Sequence, residues 1–75
     1  MRKAFVLVNS DVGSETELQS ELKRVEGVIA VYQVYGLFDL VVEVEAESDQ
    51  KLKEIVFSKI RPLKCVKSTI TLAAV

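Results

Sequence analysis

The residues whose types and spacing suit chemistry are few. They are a Gly36-Leu37-Phe38-Asp39 segment, a Thr69-x-Thr71 pair, a row of acids at Glu43, Glu45 and Glu47, and a lone thiol at Cys65. A glycine followed by an aromatic and an acid at a turn can present backbone N–H groups, a ring and a carboxylate to a small ligand. The same residues also build a plain turn, in which Gly36 supplies a positive φ, Phe38 tucks under the sheet and Asp39 caps its own turn. Thr69 and Thr71 point the same way from one strand, so their hydroxyls can line a polar pocket, although threonine is equally at home as a strand former. The acidic row invites a paired-carboxylate acid/base site, but no neighbour is set up to separate two pKa values, and a solvated or salt-bridged strand face explains it. Cys65 stands between Lys64 and Lys67, which favours a thiolate; a single cysteine beside a strand start is ordinarily packing, and it is assigned no role.

What is missing narrows the function further. Without histidine the commonest general base near neutral pH is absent, and Ser/His or Cys/His nucleophilic arrangements are impossible, so no catalytic residue is expected. A single cysteine excludes an intrachain disulfide and, with no histidine, leaves no metal cluster; no cofactor is expected either. The ten basic residues are scattered among eleven acids for a net charge of -1, which forms no phosphate-neutralising stripe and disfavours direct binding to DNA. The opening apolar run reaches Asn9-Ser10-Asp11 too soon for a signal or a span, and no other run approaches ~18 residues. These features read as a soluble, reduced, cytoplasmic protein without a membrane partner.

The 75 residues, 49% hydrophobic and 28% charged, form a single domain over positions 1–75. A domain of this size buries only about 60% of the surface its unfolded chain exposes, while ordering costs on the order of 1.5 kcal/mol per residue. With no disulfide or metal, self-association is the remaining staple.

The elements that must carry the candidate residues follow from periodicity. The continuous apolar run Ala4-Phe5-Val6-Leu7-Val8 suits a central strand covered on both faces. Ser14 with Glu17 fits a capping box opening a helix to about Arg24, whose apolar stripe is Leu18, Leu22 and Val25 and whose stop is Gly27. Residues 28–35 read as a second strand, and residues 40–46 alternate with Leu40, Val42, Val44 and Ala46 on the core side. Ser48 or Asp49 caps a second helix through Leu52, Ile55, Val56 and Ile60, ended by Pro62. Residues 66–74 form the last strand, in which Val66, Ser68, Ile70 and Leu72 alternate with Lys67, Thr69, Thr71 and Ala73.

The order is βαββαβ, the α+β ferredoxin-like pattern: a four-stranded antiparallel sheet in the order 4-1-3-2 with two helices on one face. The other face has no cover from this chain. It is expected to carry Val41, Glu43, Glu45, Thr69, Thr71 and apolar side chains of the central strands, and to be a surface for a second copy.

Three stretches, Val34-Tyr35-Gly36-Leu37-Phe38-Asp39-Leu40-Val41-Val42-Glu43-Val44, Ile60-Arg61-Pro62-Leu63 and Val66-Lys67-Ser68-Thr69-Ile70-Thr71, together resemble the effector domain of the Lrp/AsnC feast/famine regulators, the RAM (regulation of amino-acid metabolism) domain. The resemblance covers essentially the whole chain. It implies a non-enzymatic module of transcription regulation that forms homodimers through its sheets, builds rings of dimers, and binds a small effector, typically an amino acid, between dimers. Carried over, Gly36, Leu37, Phe38 and Asp39 form the loop side of that cleft and Thr69 and Thr71 the strand side. Tyr35 departs from the small hydroxyl residue that often precedes the glycine. The helix-turn-helix of gene-regulating members does not precede the first strand, so the resemblance is to a stand-alone version, with a helix-turn-helix relative as a possible partner. Two other readings share the topology: a small dimeric α/β-barrel enzyme, such as a cofactor-free monooxygenase or isomerase, and an ACT-like allosteric module, whose loop glycine would have to be Gly13.

Overall fold

Alternation along the inner strands decides which side of the sheet is dry. In the computed structural model, which describes residues 1–73, strand β3 (Leu40–Ala46) buries Leu40, Val42, Val44 and Ala46 and leaves Val41, Glu43 and Glu45 on the other side. Strand β1 (Arg2–Ser10) does the same despite its unbroken apolar run: Ala4, Val6, Val8 and Ser10 are buried, whereas Lys3, Phe5, Leu7 and Asn9 are half-buried. Its expected cover on both faces is thus supplied on one face only by this chain. Helix α1 (Glu15–Lys23) and helix α2 (Asp49–Ile55), with a π-helical turn over Val56–Ile60, cover that dry side. Leu18 and Leu22 of α1 and Leu52, Val56 and Ile60 of α2 and its extension complete the core. Strands β2 (Val28–Gln33) and β4 (Val66–Ala73) are the edges of an antiparallel sheet in the order β2-β3-β1-β4, which is the predicted 4-1-3-2 read from the other side. Residues 74 and 75 lie outside the described residues, and with them the predicted last position of β4.

The phase of β4 corrects the sequence reading. Thr69 pairs with Val8 and Thr71 with Val6, so both threonines stand on the helix side of the sheet, while Ile70 pairs with Leu7 and Leu72 with Phe5 on the open side. The cause is a register shift opposite Asn9 and Ser10: Val66 pairs with Ser10 and Ser68 with Asn9, leaving Lys67 as an extra residue. One inserted residue exchanges the faces of everything beyond it. Val66 therefore leans on the core, whereas Ile70 and Leu72 are 48% and 52% exposed on the open face.

Local details depart from expectation in three more places. The capping box at Ser14 does not form, because Ser14 sits at φ -106° and ψ 5° inside a turn begun at Asp11, not in the extended conformation that a capping side chain needs. Its carbonyl still accepts from the N–H of Leu18 at 2.9 Å. Strand β2 stops at Gln33 instead of Tyr35, and the last bond of the hairpin is from Val34 N–H to the carbonyl of Asp39, one step beyond the Gln33–Leu40 pair. Helix α2 starts as expected, with Ser48 Oγ accepting from Lys51 N–H at 3.2 Å, but its last turn widens, Arg61 N–H donating to the carbonyl of Val56 five residues back. Pro62 follows directly and ends it.

α1 ends at Lys23 with Arg24 as its C-cap, and the expected stop, Gly27, lies instead in the turn before β2 at φ +98°, where a β-carbon would meet Ile55 Cδ1 at 2.6 Å and the Glu45 carbonyl at 3.3 Å. Gly13, at φ +83°, has open space around the same position. Gly13→Ala should therefore cost about 1 kcal/mol of backbone strain, and Gly27→Ala at least about 2 kcal/mol, because the overlap adds to the strain. Urea unfolding of the two variants checks the order.

On the open face Lys3 Nζ lies 3.0 Å from Glu43 Oε2, and the hydrogen bond and charge of Glu43 hold the Lys3 pKa above its ordinary 10.5. A raised folded pKa stabilises the fold below 10.5 and loses that contribution as pH climbs through the raised value. The Tm difference between the wild type and Lys3→Gln should accordingly persist at neutral pH and shrink above the ordinary lysine pKa, as thermal melts across that range will show.

Candidate functional site

The loop of residues 34–39 joins the central sheet to the surface. Gly36 takes φ +120° with nothing within 4 Å of where a β-carbon would stand, and on either side of it Tyr35 and Leu37 are 102% and 91% exposed. A glycine here is required by the positive φ, and its bare flank leaves the backbone approachable.

Asp39 anchors this loop. Its N–H donates to the Val8 carbonyl at 3.0 Å and its own carbonyl accepts from Val34 N–H at 2.9 Å. Its Oδ2 accepts from the N–H of Ser10 at 2.9 Å and from the Ser10 hydroxyl at 3.3 Å. The carboxylate therefore holds the end of β1 and not merely its own turn. Oδ1 accepts no hydrogen bond among the described residues, which leaves acceptor capacity for an incoming donor. Ser10 was not singled out by its type. The available signal was its phase: it continues the inward series Ala4, Val6, Val8 and is the one polar residue there.

Thr69 and Thr71 lie on the far side of β1 from this loop. Val8 pairs with Leu40 on one side and Thr69 on the other, which separates loop base and threonine by two strand spacings, about 10 Å. The threonines face a groove of about 670 Å³ between β4 and α2, whose other polar walls are Asp49, Lys53 and Arg61 and which residues 36–39 do not line. The structure thus keeps Gly36, Leu37, Phe38 and Asp39 together and brings Thr69 and Thr71 together, but within one chain the two sets face different spaces.

Phe57 and Lys53 carried no motif in the sequence, and Arg61 entered only as part of a helix-closing pattern. The Arg61 guanidinium lies 4.8 Å from the centroid of the Phe57 ring, a cation–π stack. The signal that would have found them is spacing, since positions 49, 53, 57 and 61 repeat every fourth residue along the edge of α2 that looks toward β4.

The open face of the sheet is the third candidate. Phe5, Leu7, Val41, Ile70 and Leu72 form a contiguous apolar surface by their pairing, with Tyr32 beside Val41 and the Lys3–Glu43 ion pair at its margin. Glu43 is thereby a salt-bridged strand residue. No helix of the described residues is long and apolar enough to cross a membrane.

Comparison with known proteins agrees with this architecture. The model of the Lrp/AsnC ligand binding domain matches residues 3–75. An HTH-type transcriptional regulator of Pyrococcus horikoshii is 31% identical over 74 residues, which are 95% of this chain and 49% of that protein. The chain spans about half the length of the curated relatives it matches. The crystal structure of FFRP-DM1 superposes with a TM-score of 0.95 at 33% identity, covering all of both chains. A transcriptional regulator of Neisseria meningitidis, solved as an L-Met complex, shares the fold with a TM-score of 0.88 at 12% identity, over 99% of this chain and 49% of that one. The helix-covered antiparallel sheet, its glycine loop and the match over nearly every residue lead to one assignment: this chain belongs to the Lrp/AsnC ligand-binding domain family.

Proposed function

We propose that the chain is a non-enzymatic effector-binding and assembly module of transcription regulation in the cytoplasm, with an amino acid as its effector. The observation that carries this reading is the loop of residues 34–39: two fully exposed apolar side chains flank an approachable glycine on a base tied down by Asp39 and Ser10. Such a loop is built to meet another surface, and ordering costs at its base are already met by the fold.

In this proposal two copies pair through the open sheet faces, and dimers meet in a ring. The effector lies where residues 36–39 of one subunit approach Thr69 and Thr71 of another, which suits the separation of the two sets within a single chain. Backbone N–H groups beside Gly36 receive the α-carboxylate, and the threonine hydroxyls and Asp39 Oδ1 accept from the α-ammonium. Phe38 and Leu37 exclude water. The L-Met complex of a regulator with the same fold supports an amino acid as the ligand class. A helix-turn-helix relative is a natural co-assembly partner, because the curated relatives are regulators of that type about twice as long.

Three outcomes test this. Sedimentation at micromolar concentration should show dimers or larger, and Ile70→Lys, which places a charge on the β4 side of the apolar face, should yield the 8.4 kDa monomer with an unchanged far-UV spectrum. A wild type that sediments only at 8.4 kDa sinks the assembly. Asp39→Asn keeps an acceptor but loses the charge on the two Ser10 bonds, so unfolding free energy should fall by about 1 to 2 kcal/mol. Calorimetry of the common amino acids against the assembled protein should find at least one that binds, weakened about tenfold by Thr71→Val; no binding by any of them removes the effector site.

A further inference from the structure

We infer that the groove between α2 and β4 is a binding site for organic carboxylates, with Arg61 and Lys53 taking the acid group and Thr69 and Thr71 hydrogen-bonding it from the opposite wall. This goes beyond the effector reading: the groove shares Thr69 and Thr71 with that cleft, but it is complete within one chain and adds Lys53 and Arg61 in place of residues 36–39 of a second subunit.

Charge is the first observation. Asp49, Lys53 and Arg61 line the groove, and Asp49 is drawn off at 3.3 Å by Arg2. Neither Lys53 nor Arg61 makes an ion pair among the described residues, so two cations face one small volume on a chain whose net charge is -1. Geometry is the second. Contact with the Phe57 ring limits the freedom of the Arg61 guanidinium, whose fork of N–H groups suits a planar carboxylate. Phe57 lies in the π-helical segment that ends α2 and Arg61 directly follows it, four positions on. Chemistry of the walls is the third. Ala4, Leu52 and Val56 supply an apolar floor, and the two threonines supply neutral donors across from the cations. The volume of about 670 Å³ falls within the range of small-molecule sites, in a groove open to solvent along Lys53, Phe57, Arg61 and Thr71. An acid with an apolar body therefore matches the groove end to end, whereas a neutral analogue forfeits the charged half.

Phenylacetate is a suitable probe and phenylacetamide its neutral counterpart. In two-dimensional NMR titrations of the intact protein, phenylacetate should give saturable shifts of the Lys53, Thr69 and Thr71 amides, and phenylacetamide should give none that saturate in the same range. Arg61→Gln should weaken the phenylacetate response about tenfold, while Lys64→Gln, which removes a charge from an exposed site outside the groove, should leave it unchanged. No saturable shift below about 10 mM, an equal response to phenylacetamide, or equal weakening by both substitutions overturns the assignment. The groove shares Thr69 and Thr71 with the proposed effector cleft, so Arg61 separates the two readings: Arg61→Gln should weaken phenylacetate binding and leave amino-acid binding at the loop unchanged.

Discussion

The inward row of β1 is the constraint on which the rest of the molecule depends. Val6 and Val8 are fully buried and pair with Val42 and Leu40 on one side and with Thr71 and Thr69 on the other. That single row fixes which face of three strands looks at the helices. Each inward valine removed from water contributes about 1.5 to 3 kcal/mol, and a one-residue slip would expose the whole set at once. Ser10 ends the same row. A buried hydroxyl at that point needs a partner, and Asp39 supplies it, so the packing phase of the core directly determines where the exposed loop is tethered.

The helix layer is narrower than the sheet. α1 packs on β2 and β3 and α2 on β3 and β1, which leaves the helix side of β4 without a lid. This shortfall, not any local motif, produces the groove. It also explains why threonine and alanine suffice at positions 69, 71 and 73, where a valine would gain little from a surface open to water. The apolar members of β4 are turned to the opposite face instead, where they extend the surface begun by Phe5 and Leu7.

Much of the fold was legible because its signals are local. The strict alternation of residues 40–46, the stripe Leu18-Leu22 and the pairing of Ser48 with Pro62 at the two ends of α2 each depend on neighbours in sequence. The phase of β4 was not, because a bulge is set by the partner strand and inserts a residue that composition does not mark. β1 was ambiguous for a different reason: both of its phases are apolar, so period-two patterning cannot say that only one is covered. For the candidate site, the glycine loop was visible as a motif, and the positive φ at Gly36 bears out its turn chemistry. The tie from Asp39 to Ser10 spans 29 positions, and no spacing rule reaches that far. Lys53 and Phe57 stayed hidden because their significance comes from facing β4, a tertiary relation.

The two edges of the sheet are not alike. β2 is short and interrupted by a bulge between Val28 and Ala30, a shape that resists docking by another strand. β4 runs eight residues, is rich in β-branched side chains, and carries one lysine near its start as its only charge. Its outer row of N–H and C=O groups is a template for any extended chain that passes. At high concentration this is the segment from which ordered aggregates would grow. Whatever lies along that edge therefore governs colloidal stability, independently of what the open face meets.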